Sequence, residues 1–261
     1  MSLFESVEGP AKCRLVLAYD GTGFHGFAAQ TEQRTVAGVL GAAIEKVTRH
    51  EVEIACAGRT DARVHAWGQV VSFEAIPGLD PDRLQASLNK MLGPELAVRS
   101  AELVPASFDA RHDAEWRSYR YTVVNRPVAD PFRARYAWHV PETLDLRTMT
   151  LAADPFIGEH DFRSFGRPSQ EGAPMTRRVY ESRWCQIDDG VLRYEIRAGS
   201  FVWQMVRSIV GTLVDVGRGR LRSGDMLAIL RARDRARAGQ VAPPHGLCLW
   251  EVGYPGYETP R

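Results

Sequence analysis

Residues 57–66 read AGRTDARVHA and bring Arg59, Asp61, Arg63 and His65 into a connection between two apolar stretches, EVEIACA and WGQVVSF. An aspartate in a loop most often bonds its own backbone and shapes a turn. Set beside guanidinium groups, a carboxylate is also favoured in its charged form, and an ionised carboxylate in a cleft serves as nucleophile or general base. A second charge stands out in FVWQMVRSIVGTLV (201–214), where Arg207 is the only ionic group and shares a narrow polar or small face with Gln204, Ser208 and Gly211. Either that face is exposed or the arginine meets a carboxylate, because an unpaired buried charge is costly. Asp61 is a candidate partner. In WRSYRY (116–121) the alternation of a strand puts Arg117, Tyr119 and Tyr121 on one face. Two tyrosines beside an arginine suit stacking on an extruded base, and they equally suit the core of a half-buried strand.

Other chemistries find no support. His65, His112, His160 and His245 are scattered, and no histidine pairs with a cysteine or second histidine at ligand spacing, so no metal site is expected. GTGFHG matches a dinucleotide fingerprint only loosely and no P-loop exists, so the expected chemistry runs without a nucleotide cofactor. Cys13, Cys56, Cys185 and Cys248 lie far apart and read as free thiols. No apolar run reaches the ~18 residues of a membrane span, and MSLFESVEGPAKC lacks the basic start and apolar core of a signal peptide, so cytoplasmic residence is expected. The net charge of +1 averages over faces and can conceal a basic stripe. Among 33 basic residues only Lys12, Lys46 and Lys90 are lysines, and the arginines crowd into 111–135, 177–207 and 218–237. Guanidinium groups bind phosphates bidentately and stack on bases, which suits RNA; a general replacement of lysine by arginine is the plainer explanation.

The elements that must position these residues follow from periodicity. KCRLVLAYD reads as a strand, TVAGVLGAAIEKVT as a helix capped by Thr35, and EVEIACA and GQVVSFEA as two strands joined by the Asp61 connection. DPDRLQASLNKML opens on Asp80 with Pro81 at the first helical position, and ELAVRSAELV is a strand. From about residue 115 the order recurs: strand WRSYRYTVVN, helix DLRTMTLAADPFIG, strands RVYESRWCQI and GVLRYEIRA, helix FVWQMVRSIVGTLVDVG, a short helix at 224–232 and a strand near LCLWEVGY. Each half is β-α-β-β-α-β, the split βαβ or ferredoxin-like order. The fold class expected is α+β: two ferredoxin-like βαββαβ units joined into a continuous antiparallel-rich sheet, with an active-site cleft between the lobes. The lobes are drawn at 1–110, carrying the candidate aspartate, and 111–261. The proline-bearing segment 125–141 reads as the crossing between halves and 166–176 as a mobile loop.

In order and spacing, AYDGTGFHG, RTVAGVL, AGRTDARVHAWGQVVSF, SFDARHDAEWRSYRYTVVNRP, GEHDFRSF, MVRSIVGTLVDVGRG and APPHGLCLWEVGYP resemble the tRNA pseudouridine synthase A family, over residues 14 to 254. The resemblance implies an isomerase that converts uridine to pseudouridine in the anticodon stem-loop of tRNA, at tRNA positions 38, 39 and 40. It also implies a homodimer without cofactor or metal and a two-lobed α+β fold. Carried over residue by residue, the catalytic aspartate falls on Asp61, the arginine implicated in extruding the nucleotide on Arg59, the tyrosine that stacks on the target base on Tyr119, and the arginine paired with the catalytic carboxylate on Arg207. Asp61 would attack either C6 of uracil or C1′ of the sugar.

Two positions depart from the family. Arg63 stands where a glycine is usual after Asp-Ala, so a backbone needing positive φ is strained or absent there, or the side chain adds a phosphate contact. FAAQ at 27–30 replaces Trp-Gln-Arg-Gln and removes an arginine and an indole from an expected RNA-facing loop. Two other functions fit the same fold: an RNA-binding protein without catalysis, which would bind tRNA with steep salt dependence and leave uridine unchanged, and a base-cleaving hydrolase, which would release uracil.

Overall fold

A computed structural model describes residues 11–168 and 170–257. Ser169, inside the expected loop 166–176, and residues 1–10 of the segment read for a signal peptide lie outside the described residues. The chain divides into two compact units, residues 1–115 with 250–261, and residues 116–249.

In the first unit, β1 (Ala11–Tyr19), α1 (Val36–Thr48), β2 (Ala55–Cys56), β3 (His65–Glu74), α2 (Pro81–Leu92) and β4 (Leu96–Pro105) follow the expected order. β1 pairs antiparallel with β3 and with β4, and β2 pairs antiparallel with β3, which gives β4-β1-β3-β2, the ferredoxin-like arrangement. Both helix starts are set by the residues read for them: Thr35 Oγ1 accepts the Gly38 amide, and the Asp80 carboxylate accepts the amides of Asp82 and Arg83. Val36, Leu40, Ala43 and Ile44 of α1 and Leu84 and Leu88 of α2 are buried at helical spacing, each large aliphatic contributing about 1.5–3 kcal/mol. β2 is shorter than EVEIACA suggested. Only Ala55 and Cys56 pair with β3, and Glu51 and Glu53 are exposed.

The second unit holds β5 (Trp116–Val124), β6 (Trp138–His139), α3 (Leu146–Ala153), β7 (Gly158–Asp161), β8 (Thr176–Asp188), β9 (Val191–Ala198), α4 (Met205–Gly217), α5 (Met226–Ala232) and the first residues of β10 (Leu247–Gly253). Its strand order, β10-β5-β9-β8-β7, is the ferredoxin-like order with β7 added at an edge. Two short strands were not read from the sequence. β6 pairs parallel with β5, and β7, at the end of the segment taken for a helix, pairs with β8 after Pro155 has turned the chain. α4 starts four residues later than its apolar run, because Gln204 sits at φ +63° and cannot continue a right-handed helix.

The segment 125–141 is not the crossing between halves. It lies inside the second unit, where the Asn125 amide donates to the carbonyls of Val140 and Glu142 and the Val140 amide donates to Val124. Prolines suggested a linker; here they shape a tied excursion between β5 and β6. The return of residues 250–257 to the first unit is anchored there: Trp250 stacks on Trp67, the Tyr254 hydroxyl donates to the Ala110 carbonyl, and Tyr254 and Tyr257 flank the buried Arg14 guanidinium, which pairs with Glu102. Among the described residues no helix is long and apolar enough to cross a membrane.

Candidate active site

In the first unit, residues 57–64 link β2 to β3 and carry Arg59, Asp61 and Arg63 on one short loop. Arg59 and Arg63 are exposed and Asp61 is half-buried. The loop is pinned from below. Thr60 is buried, its hydroxyl 2.8 Å from that of Tyr19, and Gln69, fully buried on β3, donates to the Gly58 carbonyl at 2.6 Å. Backbone bonds fix the other side: the Phe27 amide donates to Thr60 O at 3.0 Å and the Arg63 amide to Phe24 O at 3.2 Å.

Those bonds come from the turn 20–27, whose role was missed in the sequence. Gly26 sits at φ +96°, and a Cβ there would come 3.0 Å from Thr60 O and 3.4 Å from the Asp61 carbonyl carbon; at Gly21 it would fall 2.1 Å from Val64 O. Gly21 and Gly26 of GTGFHG therefore let one backbone lie against another. His65 joins the same assembly, its Nδ1 3.0 Å from the Gly21 amide and 3.2 Å from the Asp20 carboxylate. Phe27 is only 2% exposed, so the first residue of FAAQ packs beneath the loop rather than facing solvent, while Ala29 and Gln30 are exposed. Arg63 adopts φ +65°: the backbone shape that favours glycine is kept, with a long cationic side chain on it.

In the second unit, Arg117, Tyr119 and Tyr121 do share the buried face of β5. Tyr121 is a core residue, fully buried, its hydroxyl donating to Pro243 O at 2.8 Å. Burial pushes its phenol well above the ordinary value, with the Arg207 charge opposing in part. Tyr119, 9% exposed, meets Phe201 edge to face at 4.9 Å. Arg207 is half-buried near the start of α4, and its Nε donates to Ala242 O at 2.8 Å, while the Ala242 amide donates back to Arg207 O at 3.0 Å. The polar face of α4 is thus covered, not exposed: Ser208, Gly211 and Thr212 are buried under residues 239–242, with Gly211 close enough to Gln240 O that a Cβ would lie 1.8 Å away. Tyr121 and Arg207 lean on the same strap, through Pro243 and Ala242. The adjacent prolines at 243 and 244 were the sequence signal for this extended segment.

The tRNA pseudouridine synthase family matches residues 15–113 and 152–255. The chain belongs to that family. Members similar to it include a tRNA pseudouridine synthase A of Brevibacillus brevis, 44% identical over 93% of this chain and 99% of the relative. Proteins of the same name from Methylacidiphilum infernorum (41% identical, 93% of this chain, 95% of the relative) and an Exiguobacterium species (38%, 93% and 98%) are similar throughout as well. The family match covers Arg59, Asp61 and Arg63 in its first stretch and Arg207 in its second, with Tyr119 in the interval between them.

Proposed function

We propose that this tRNA pseudouridine synthase family member isomerises uridine at positions 38, 39 and 40 of the tRNA anticodon stem-loop, with Asp61 as nucleophile. The observation that carries the reading is similarity to tRNA pseudouridine synthase A proteins along nearly the whole of both chains, joined to an aspartate offered on a loop whose backbone is held from two sides. Arg59 assists extrusion of the nucleotide, Tyr119 stacks on the freed uracil, Arg207 balances the charge of the nucleophile, and Arg63 adds a phosphate contact. Extrusion costs a few kcal/mol, which stacking and phosphate contacts offset. The carboxylate attacks C6 or C1′. By either route the C1′–N1 bond breaks, the uracil turns, C5 joins C1′, and the C5 proton leaves while N1 gains one. The product is an isomer, so no oxidant, reductant or water is consumed.

The enzyme acts as a homodimer in the cytoplasm, where its tRNA substrate is found. Carbodiimide treatment of a reacted tRNA transcript followed by reverse transcription tests the positions. Stops one nucleotide to the 3′ side of positions 38 to 40 are expected; stops that report only other uridines would overturn the assignment of the stem-loop.

A further inference from the structure

Asp161 closes β7 and holds two arginines at once. Its Oδ2 accepts Arg163 Nη1 at 2.8 Å and lies 3.4 Å from Arg233 Nε, while Oδ1 accepts the Arg163 amide at 3.0 Å. Both guanidinium groups are set against one oxygen atom, so they stand side by side. Their side chains remain 53% and 62% exposed, and among the described residues neither guanidinium has another partner. Asp161 therefore engages one nitrogen of each and leaves the other N–H donors to solvent.

Bonds beneath the pair hold it in place. Phe162 and Phe165 are fully buried, and the buried Ser164 hydroxyl donates to Ile229 O at 2.6 Å and accepts the Asp234 amide at 3.0 Å. That hydroxyl fastens the turn 163–165 to the end of α5, where Arg233 stands. Arg233 adopts φ +54°, a left-handed conformation that glycine takes freely and a side chain takes at a cost. The helix end does not explain the residue, because Arg231 in the last turn already supplies the positive charge that a helix C-terminus favours. Strain kept in place by its surroundings points to a use. Charge points the same way: residues 161–167 and 231–237 hold six arginines against two aspartates, in a chain whose net charge is only +1. Arg231 and Arg237 are exposed and have no ion pair among the described residues. Two exposed arginines gain little from a shared carboxylate in water, and an incoming anion would meet the donors left over.

We propose that Arg163 and Arg233, aligned by Asp161, form a clamp for one phosphate of the tRNA backbone, with Arg231 and Arg237 adding positive charge on the same segment. The clamp rests on the tRNA reading above for the identity of the polymer. Planar guanidinium groups offer paired N–H donors to phosphate oxygens, and a phosphate carries no sequence information, so this contact positions the substrate without reading its bases.

The test is binding of an unmodified tRNA transcript over a range of salt, with tritium release from C5-labelled uridine measured on the same preparations. Arg163→Gln and Arg233→Gln should each weaken binding about 3- to 10-fold at roughly 0.1 M salt, and the double variant should lower the slope of log affinity against log salt by about one. Arg233→Gly separates clamp from scaffold. Glycine suits the left-handed position, so the thermal midpoint of this variant should match or exceed the wild type while its tRNA affinity falls as in Arg233→Gln. Arg83→Gln on α2, where the arginine is 88% exposed, serves as the control for loss of one surface charge. Wild-type affinity and slope in the double variant would overturn the proposal, as would an equal effect of Arg83→Gln or a loss of affinity seen only together with a lowered midpoint. A wild type that binds tRNA but releases no tritium would refute the proposed activity and leave the clamp to be judged by binding alone.

Discussion

Arg63 occupies a backbone region, φ +65°, in which a side chain costs roughly 1–2 kcal/mol that glycine avoids. Arg63→Gly relieves that strain and adds chain entropy to the unfolded state, so we expect a stability change between zero and about +1 kcal/mol in urea unfolding. The same variant should bind tRNA more weakly and with a shallower salt slope; unchanged binding would mean that the arginine is tolerated for no contact with RNA. At Tyr119 the ring and the hydroxyl can be separated. Tyr119→Phe keeps the edge-to-face contact with Phe201 and should hold tRNA affinity within about twofold, whereas Tyr119→Ala should lower kcat/KM about 5- to 100-fold. Wild-type kcat/KM in Tyr119→Ala would remove the stacking role.

The loop and α4 are positioned by elements that approach closely, and both approaches depend on glycine. Gly211→Ala drives a methyl group toward Gln240 O and should cost roughly 1–3 kcal/mol in urea unfolding, loosening the strap that holds Arg207. An unaltered unfolding midpoint would show that the strap yields freely. How much of this was legible in the sequence depended on the kind of signal. Thr35 and Asp80 announced α1 and α2 because capping is local chemistry, and the alternation of β5 placed Tyr119 and Tyr121 on one face. The alternation could not say that Tyr121 would be core, since that follows from Pro243, more than a hundred residues away. The turn 20–27 was read as a motif of the family resemblance and as a poor dinucleotide fingerprint, but not for its packing, because the reason for Gly21 and Gly26 is another backbone, that of residues 60–64. β6 and β7 are too short to carry a periodic pattern, and the late start of α4 is a backbone choice at Gln204 that apolar spacing does not record.

At the scale of the whole molecule, the core stores protons that an unfolded chain would release in alkali. Burial, helped by the negative charge of Glu102, pushes the Cys13 thiol from 9.0 up to about 12, and burial also raises Tyr121 and Tyr194 above 10.0. A raised acid contributes its stability in full below its unfolded value and loses it as pH rises toward the folded one. Stability should therefore hold to about pH 9 and fall from there toward 12, read as a declining urea midpoint, with a shallower decline in Cys13→Ala. A midpoint that stays level to about pH 11 would contradict the burial of these groups.

The proposed role of Asp61 in isomerisation is tested most directly by tritium release from a tRNA transcript carrying uridine labelled at C5, for the wild type and Asp61→Asn, with free uracil assayed in parallel. The wild type should release tritium without uracil, and Asp61→Asn should fold, bind tRNA and lose turnover by at least about 10³-fold. Substantial release by Asp61→Asn would contradict the proposed nucleophile, and free uracil from the wild type would make the protein a hydrolase.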